Sequence, residues 1–276
     1  MNIDVFYRSF LFDVLQEPEE YNSRTNTNVR ALPGITFQTD LQSEGFPLLS
    51  LRKIPYSFIP EQMWFLSGSN KVDWLERHTK IWSSFKESDN TISSAYGHRW
   101  RHWDGGGSNV DQLNIVLKKL KEDNSSRHGV VLMWDPWQDL VTKQKNVPCP
   151  YTFTLNIIRG RLNLHLIVRS NDMILGFPTD VAGFALLQLI LAQYLEVPPG
   201  VYTHSISNAH IYSTLHDSIA EELLNRPVGP EKVEIELPMF SYERATNLDD
   251  LLVSQIKENI TGYFPGTPIK NIPIAL

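Results

Sequence analysis

The sequence predicts a mixed α and β chain: segments of helical spacing alternate with segments of two-residue alternation, turn signals separate them, and 42% hydrophobic with 20% charged residues suits a soluble globular core. No linker is visible along the 276 residues, which favours one large domain. No apolar run approaches the roughly 18 residues of a membrane span.

Residues 1–16 place Ile3, Val5, Phe6, Phe10, Leu11, Val14 and Leu15 close to helical spacing, a first helix. Residues 17–34 are polar and rich in turn formers, a loop or short ribbon with Arg24 in its middle. Residues 54–71 carry two prolines and then an aromatic-rich helical turn stopped by Gly68, with one acid, Glu61, on its apolar surface. Leu113, Val116, Leu117 and Leu120 support a helix within 110–121, and a strand follows at 129–134. Residues 151–168 alternate as TFTLNII and LNLHLIV around Arg159-Gly160-Arg161, which suits a hairpin. The almost wholly apolar stretch 182–195 is too short to span a membrane and fits a buried central helix. A late strand at 233–237 and the tail IPIAL close the chain.

The net charge of -6 speaks against general affinity for nucleic acid or anionic lipid, although a few local arginines can still grip one small phosphate. The start MNIDVFYRSFLF mixes acidic with apolar residues and has no small-residue cleavage site, so it does not read as a signal peptide, and the cytoplasm is the expected compartment. The single cysteine, Cys149, excludes internal disulfides and multi-cysteine metal sites; it is a buried structural thiol, a bystander or a nucleophile. It sits at a loop-to-strand junction, and the hairpin that follows ends at Arg169-Ser170-Asn171-Asp172. If the hairpin returns to its start, Arg169 lies beside the thiol and lowers its pKa; the alternative for Arg169 is a surface ion pair. His98, His102, His204 and His210 lack compact ligand spacing, so no metal is expected.

The run VPCPYTFTLNIIRGRLNLHLIVRSNDMILGFPTDVAGFALL, followed by NAHIY, resembles the catalytic half of the thymidylate synthase family. The likeness extends back through SRHGVVLMW, DQLNIVLKKLK, YGHRWRHW and EQMWFLSGSN to SRTNTN and forward to IPIAL, in similar order and spacing, so it covers most of the chain. It implies an α+β thymidylate synthase fold over residues 1–276, a large mixed sheet packed by helices, and a sheet-to-sheet homodimer. It also implies one-carbon transfer from 5,10-methylenetetrahydrofolate to carbon 5 of a pyrimidine nucleoside monophosphate, with Cys149 as the nucleophile that adds to carbon 6. Arg24, Arg127, Arg169 and Ser170 match the family's phosphate-binding positions, Arg127 being supplied across the dimer; His128 stands where a second arginine is usual, a weaker grip at neutral pH. Glu61 matches the glutamate that exchanges protons with the base through water, and burial among Met63, Trp64 and Phe65 should raise its pKa. Tyr96 matches the tyrosine of the network that takes the carbon 5 proton, and His210 with Tyr212 the pair that holds the sugar 3'-hydroxyl. Ile81, Trp82, Asp172, Leu175 and Gly176 match positions around the folate, whereas Thr179, Phe85 and Pro150 depart from the aromatic, tryptophan and histidine common at theirs.

The most informative departure is Asp180, because uracil-using members carry Asn there. An amide accepts from the uracil ring N–H and donates to its 4-carbonyl; Asp accepts from the cytosine amino group and, with one shared proton, satisfies the ring nitrogen as well. The chain therefore resembles the deoxycytidylate hydroxymethylases, in which water completes the reaction on dCMP. Trp82 and the IPIAL tail, which shield the site in reductive members, leave 5-methyl-dCMP open as product. Arg127 together with Ser170 looks more like a deoxynucleotide site than a ribonucleotide one. The competing readings are a thymidylate synthase acting on dUMP and a non-catalytic nucleotide-binding paralogue. Cys149, Glu61, Tyr96 and Arg169 together count against the second.

Overall fold

The computed structural model describes residues 1–142, 146–229 and 232–275. In chain order these form α1 (Ile3–Val14), β1 (Glu20–Asn22), β2 (Thr27–Asp40), α2 (Phe58–Ser67), α3 (Tyr96–Arg101), the short pair β3 (Trp103–Asp104) and β4 (Asn109–Val110), α4 (Gln112–Glu122), β5 (Val130–Leu132), β6 (Pro150–Ile158), β7 (Arg161–Val168), β8 (Asn171–Asp172), α5 (Gly176–Tyr194), β9 (Pro199–Ile211), α6 (Ser213–Leu224), β10 (Glu234–Ile235), α7 (Ser241–Thr246), α8 (Asp250–Glu258) and β11 (Ile260–Thr261). Side-chain caps mark several helix starts: Asn2 accepts from the Asp4 and Val5 amides, Asp111 from Asn114, and Asp249 from Leu251. Gly68 ends α2 in the left-handed conformation at φ 73°, the stop its position in the sequence signals.

The main sheet runs β1-β2-β9-β7-β6-β5, with β8 also paired to β9. It is mixed, since β9 runs parallel to β7 and β8 and antiparallel to β2. Along β7, Leu162, Leu164, Leu166 and Val168 are buried on the helix side, and the alternate Asn163, His165 and Ile167 remain partly exposed on the other. The buried helix α5 is the crossover between the parallel strands β7 and β9, and Gln188 ties it to both through its side-chain amide, 2.8 Å from Leu162 O and 3.3 Å from Val201 O. An aromatic cluster of Trp100, Phe153 and Phe184 joins α3, the sheet and α5, with ring centroids 5.2 to 6.3 Å apart. Among the described residues no helix is long and apolar enough to cross a membrane.

Residues 17–34 form the short ribbon, one of the two expectations for them: β1 pairs with the start of β2, and β2 runs on through Pro33 and Gly34 against β9. Tertiary pairing supplies the hydrogen bonds that a polar, turn-rich stretch cannot find locally. Other expectations need correction. Helix α5 begins at Gly176, six residues before the apolar run, because Pro178 falls in the first turn, where its missing N–H costs nothing. The late strand shrinks to Glu234–Ile235, paired with β11, and the last residue of IPIAL, Leu276, lies outside the described residues.

Candidate active site

Pairing of Pro150 with Val168 at the open end of the β6–β7 hairpin sets Cys149 beside Arg169, whose backbone N–H donates to Cys149 O at 2.9 Å. The Arg169 guanidinium is held by the carbonyls of Pro148 (2.8 Å) and Val147 (3.1 Å) and reaches Cys149 Sγ at 3.8 Å, so it is not a surface ion pair. Arg169 does pull the thiol pKa down, as expected, but burial outweighs it. Burial pushes the Cys149 thiol above its ordinary value; Arg169 and then Arg24 pull against this, and the Asp180 carboxyl adds to it. The resting side chain is a thiol with a cation in reach.

Near it lie two carboxyls from different helices, one buried and one half-buried. Glu61 sits in the first turn of α2, only 7% exposed, and its Oε1 accepts from the Trp82 indole N–H at 2.6 Å. Burial, with a smaller push from Asp180, raises its pKa to about 8 against the opposing pull of that bond. Asp180, in the first turns of α5, is raised by burial to about 7, partly countered by the bond it accepts from Asn171 Nδ2 at 2.9 Å. Tyr96, at the start of α3, is pushed well above the usual tyrosine value by burial, with Cys149, Asp180 and Glu61 as the neighbouring groups that add to it. Near neutrality the pocket thus holds a thiol, a phenol and two carboxyls able to keep their protons, which is a set suited to moving protons along a ring edge.

The polar rim of the site comes from β8, β9 and the β1–β2 turn. Arg24 donates to Tyr212 Oη at 3.3 Å, Ser170 Oγ lies 3.4 Å from His210 Nδ1, and Asn208 Oδ1 lies 3.1 Å from the same nitrogen. Burial lowers the pKa of His210. Arg24, Arg169, Ser170, His210 and Tyr212 therefore converge near Cys149, and two of them, Arg24 and Arg169, act electrostatically on its thiol. Arg127 does not share these bonds: it is exposed on the segment entering β5, and His128 beside it meets Lys119 Nζ at 3.2 Å.

On the side assigned to a folate, Trp82 packs edge-on against Phe65, Phe85 and Tyr96, with centroids 5.5 to 6.1 Å apart, and Ile81 is 42% exposed beside it. Asp172 Oδ1 accepts from the Ile174 and Leu175 amides at 2.8 and 3.1 Å, which fixes the turn into α5. Leu175 and Gly176, at the start of α5, are half-buried. Among the described residues no group of three His, Cys, Asp or Glu side chains is placed to hold a metal ion.

Sequence reasoning missed Asn171 as the partner of Asp180, Trp82 as the partner of Glu61, and His204 behind Asn171. The signal for His204 was its inward position in the alternation of Tyr202, His204 and Ile206, where a histidine needs buried hydrogen-bond partners. Compared with known protein families, residues 6–275 match the family model described as thymidylate synthase.

Proposed function

We propose, for a chain that belongs to the thymidylate synthase family, that the pyrimidine it accepts is cytosine and that its reaction is 5-hydroxymethylation of dCMP. The family transfers one carbon to carbon 5 of pyrimidine nucleoside monophosphates and uses methylenetetrahydrofolate as donor. The observation that carries the cytosine reading is Asp180: a half-buried carboxyl with a pKa raised to about 7, close enough to act on the Cys149 thiol, offers one accepting and one donating oxygen at neutral pH. That pair complements an amino group next to a ring nitrogen.

In this reading the Cys149 sulfur adds to carbon 6 of the base, which makes carbon 5 electron-rich, and its proton passes to the buried acid–base set. Arg24, Arg169 and Ser170 hold the phosphate, and Arg127 reaches it from a second copy of the chain; its exposure on the segment entering the edge strand β5 supports such sharing. A homodimer formed through the sheet suits the half-exposed face that carries Thr36, His165 and Ser205. His210 and Tyr212 hold the sugar, and Glu61, bonded to Trp82, exchanges protons with the base edge. Tyr96 assists removal of the carbon 5 proton. The folate, held by Ile81, Trp82, Asp172, Leu175 and Gly176, supplies the methylene carbon, and water completes the group as hydroxymethyl.

The test is tritium release to water from carbon 5 of labelled dCMP, dUMP and CMP with methylenetetrahydrofolate, for wild type and Cys149→Ala. Release from dCMP alone, abolished in the variant, supports the reading, and product analysis then separates hydroxymethyl from methyl. Release chiefly from dUMP makes the protein a thymidylate synthase, and no release from any of them makes it a nucleotide-binding protein.

A further inference from the structure

Four polar side chains from three elements form one line: Tyr202 and His204 on β9, Asn171 on β8 and Asp180 on α5. Tyr202 Oη lies 2.9 Å from His204 Nδ1, His204 Nε2 lies 3.2 Å from Asn171 Oδ1, and Asn171 Nδ2 lies 2.9 Å from Asp180 Oδ2. Tyr202 and His204 are fully buried and Asn171 is 3% exposed, so water does not compete for the first two of these bonds. Burial holds His204 down to about 3 and Tyr202 well above its ordinary value, so both are neutral.

A neutral imidazole has one N–H, and a carboxamide oxygen only accepts. The His204 proton is therefore on Nε2, facing Asn171 Oδ1, and Nδ1 takes the Tyr202 hydroxyl proton. This gives the line a direction, from O–H to Nδ1, from Nε2–H to Oδ1, and from Nδ2–H to Asp180 Oδ2. The reverse order turns the Tyr202 proton away from its ring partner. At the far end Oδ2 has to accept, so the proton of a neutral Asp180 sits on Oδ1. Gly176 makes room for the last bond, since a Cβ there would lie 2.9 Å from Asn171 Nδ2 and 3.5 Å from Asp180 Oδ2.

We infer that Asn171 and His204 are positioning residues that decide which oxygen of Asp180 carries its proton, and thereby sharpen the choice between cytosine and uracil. This rests on Asp180 as the base reader. A carboxyl whose donor and acceptor are fixed in order complements one base edge and opposes the other. With cytosine bound, Oδ2 faces the 4-amino group through its second lone pair and Oδ1–H faces the ring nitrogen; uracil needs the opposite order. The ionisable and polar groups around Asp180 are Glu61 on α2, Tyr96 on α3, Cys149 before β6, Asn171 and Asp172 on β8, and Tyr202 and His204 on β9. Of these, Asn171 donates the hydrogen bond.

The test measures kcat and KM for tritium release from dCMP and dUMP across pH, in wild type, His204→Leu, His204→Gln and Tyr202→Phe. His204→Leu is expected to lower the dCMP to dUMP ratio of kcat/KM about tenfold. It should also move the alkaline limb of the dCMP profile to higher pH, because an unanchored Asn171 no longer favours the carboxylate. His204→Gln, whose amide N–H can meet Asn171 Oδ1 again, should recover most of the ratio, and Tyr202→Phe should shift it less in the same direction. A folded His204→Leu that slows both substrates equally, with the limb unmoved, overturns the inference; if that variant does not fold, an unmoved ratio in Tyr202→Phe does so. Wild-type preference for dUMP overturns the cytosine reading instead, which separates the two failures.

Discussion

Replacing Glu61 by Gln keeps an oxygen for the Trp82 indole N–H while removing the group that can ionise. In the unfolded chain a glutamate loses its proton near pH 4.3, whereas in the folded protein Glu61 keeps it up to about 8. Between those values the unfolded state binds fewer protons than the folded one, so stability falls as pH rises, by about 1.36 kcal/mol per pH unit for this one group. From pH 5 to pH 7, both inside the window, the loss is roughly 2.7 kcal/mol, and it does not depend on the upper pKa as long as that lies above 7. Glu61→Gln lacks this loss, while the similar drift from Asp180 remains in both proteins. Urea unfolding at pH 5 and pH 7, at one protein concentration, should show wild type losing about 2 to 3 kcal/mol more than the variant, or roughly 5 to 10 °C in thermal midpoint for a chain of this size. Parallel pH dependence in the two proteins would refute the assignment of a buried, protonated Glu61.

Arg169→Met removes the nearest cation from Cys149, so alkylation of the thiol by iodoacetamide at pH 7.5 should slow by about tenfold; an unchanged rate would mean that Arg169 does not influence the sulfur. Arg99 and Asp139 form a buried two-pronged ion pair at 2.6 and 2.7 Å, and Asp139→Ala should destabilise the fold by about 3 to 5 kcal/mol in urea titrations because the guanidinium is left buried and unpaired. Gly176→Ala should displace Asn171 and lower kcat/KM for the nucleotide at least about tenfold with a nearly unchanged melting temperature; a large loss of stability instead would place the crowding in the core.

The elements that were legible in the sequence are those whose pattern is local. The β6–β7 hairpin alternates visibly around Arg159-Gly160, and the Leu and Val spacing of α4 marks its buried face. Strands β2 and β9 were not legible, because the pairing between them joins residues more than 150 positions apart, as in Arg30 with Ile211. The first turn of α5 was hidden by Pro178, Thr179 and Asp180, which look like a loop until the helix behind them is known. In the site, the likeness to a family singled out Glu61 and Asp180, but their partners Trp82 and Asn171 are contacts made by the fold. The pull of Arg169 on Cys149 was legible, but the burial that outweighs it was not.

The crossover that joins β7 to β9 governs when the pocket can come into being. Asp180 travels on that crossover, His204 and His210 arrive only with β9, and β9 must close onto β2 from the far end of the chain. Loop-closure entropy of that span is lost before the pairing compensates it, so assembly is expected to be slow relative to helical proteins of similar stability. A ribosome-bound chain that has not yet released residue 211 holds its thiol, both acids and its first helices but lacks the completed β9 that joins β2 to β7, so the competence of the site is a late event in synthesis.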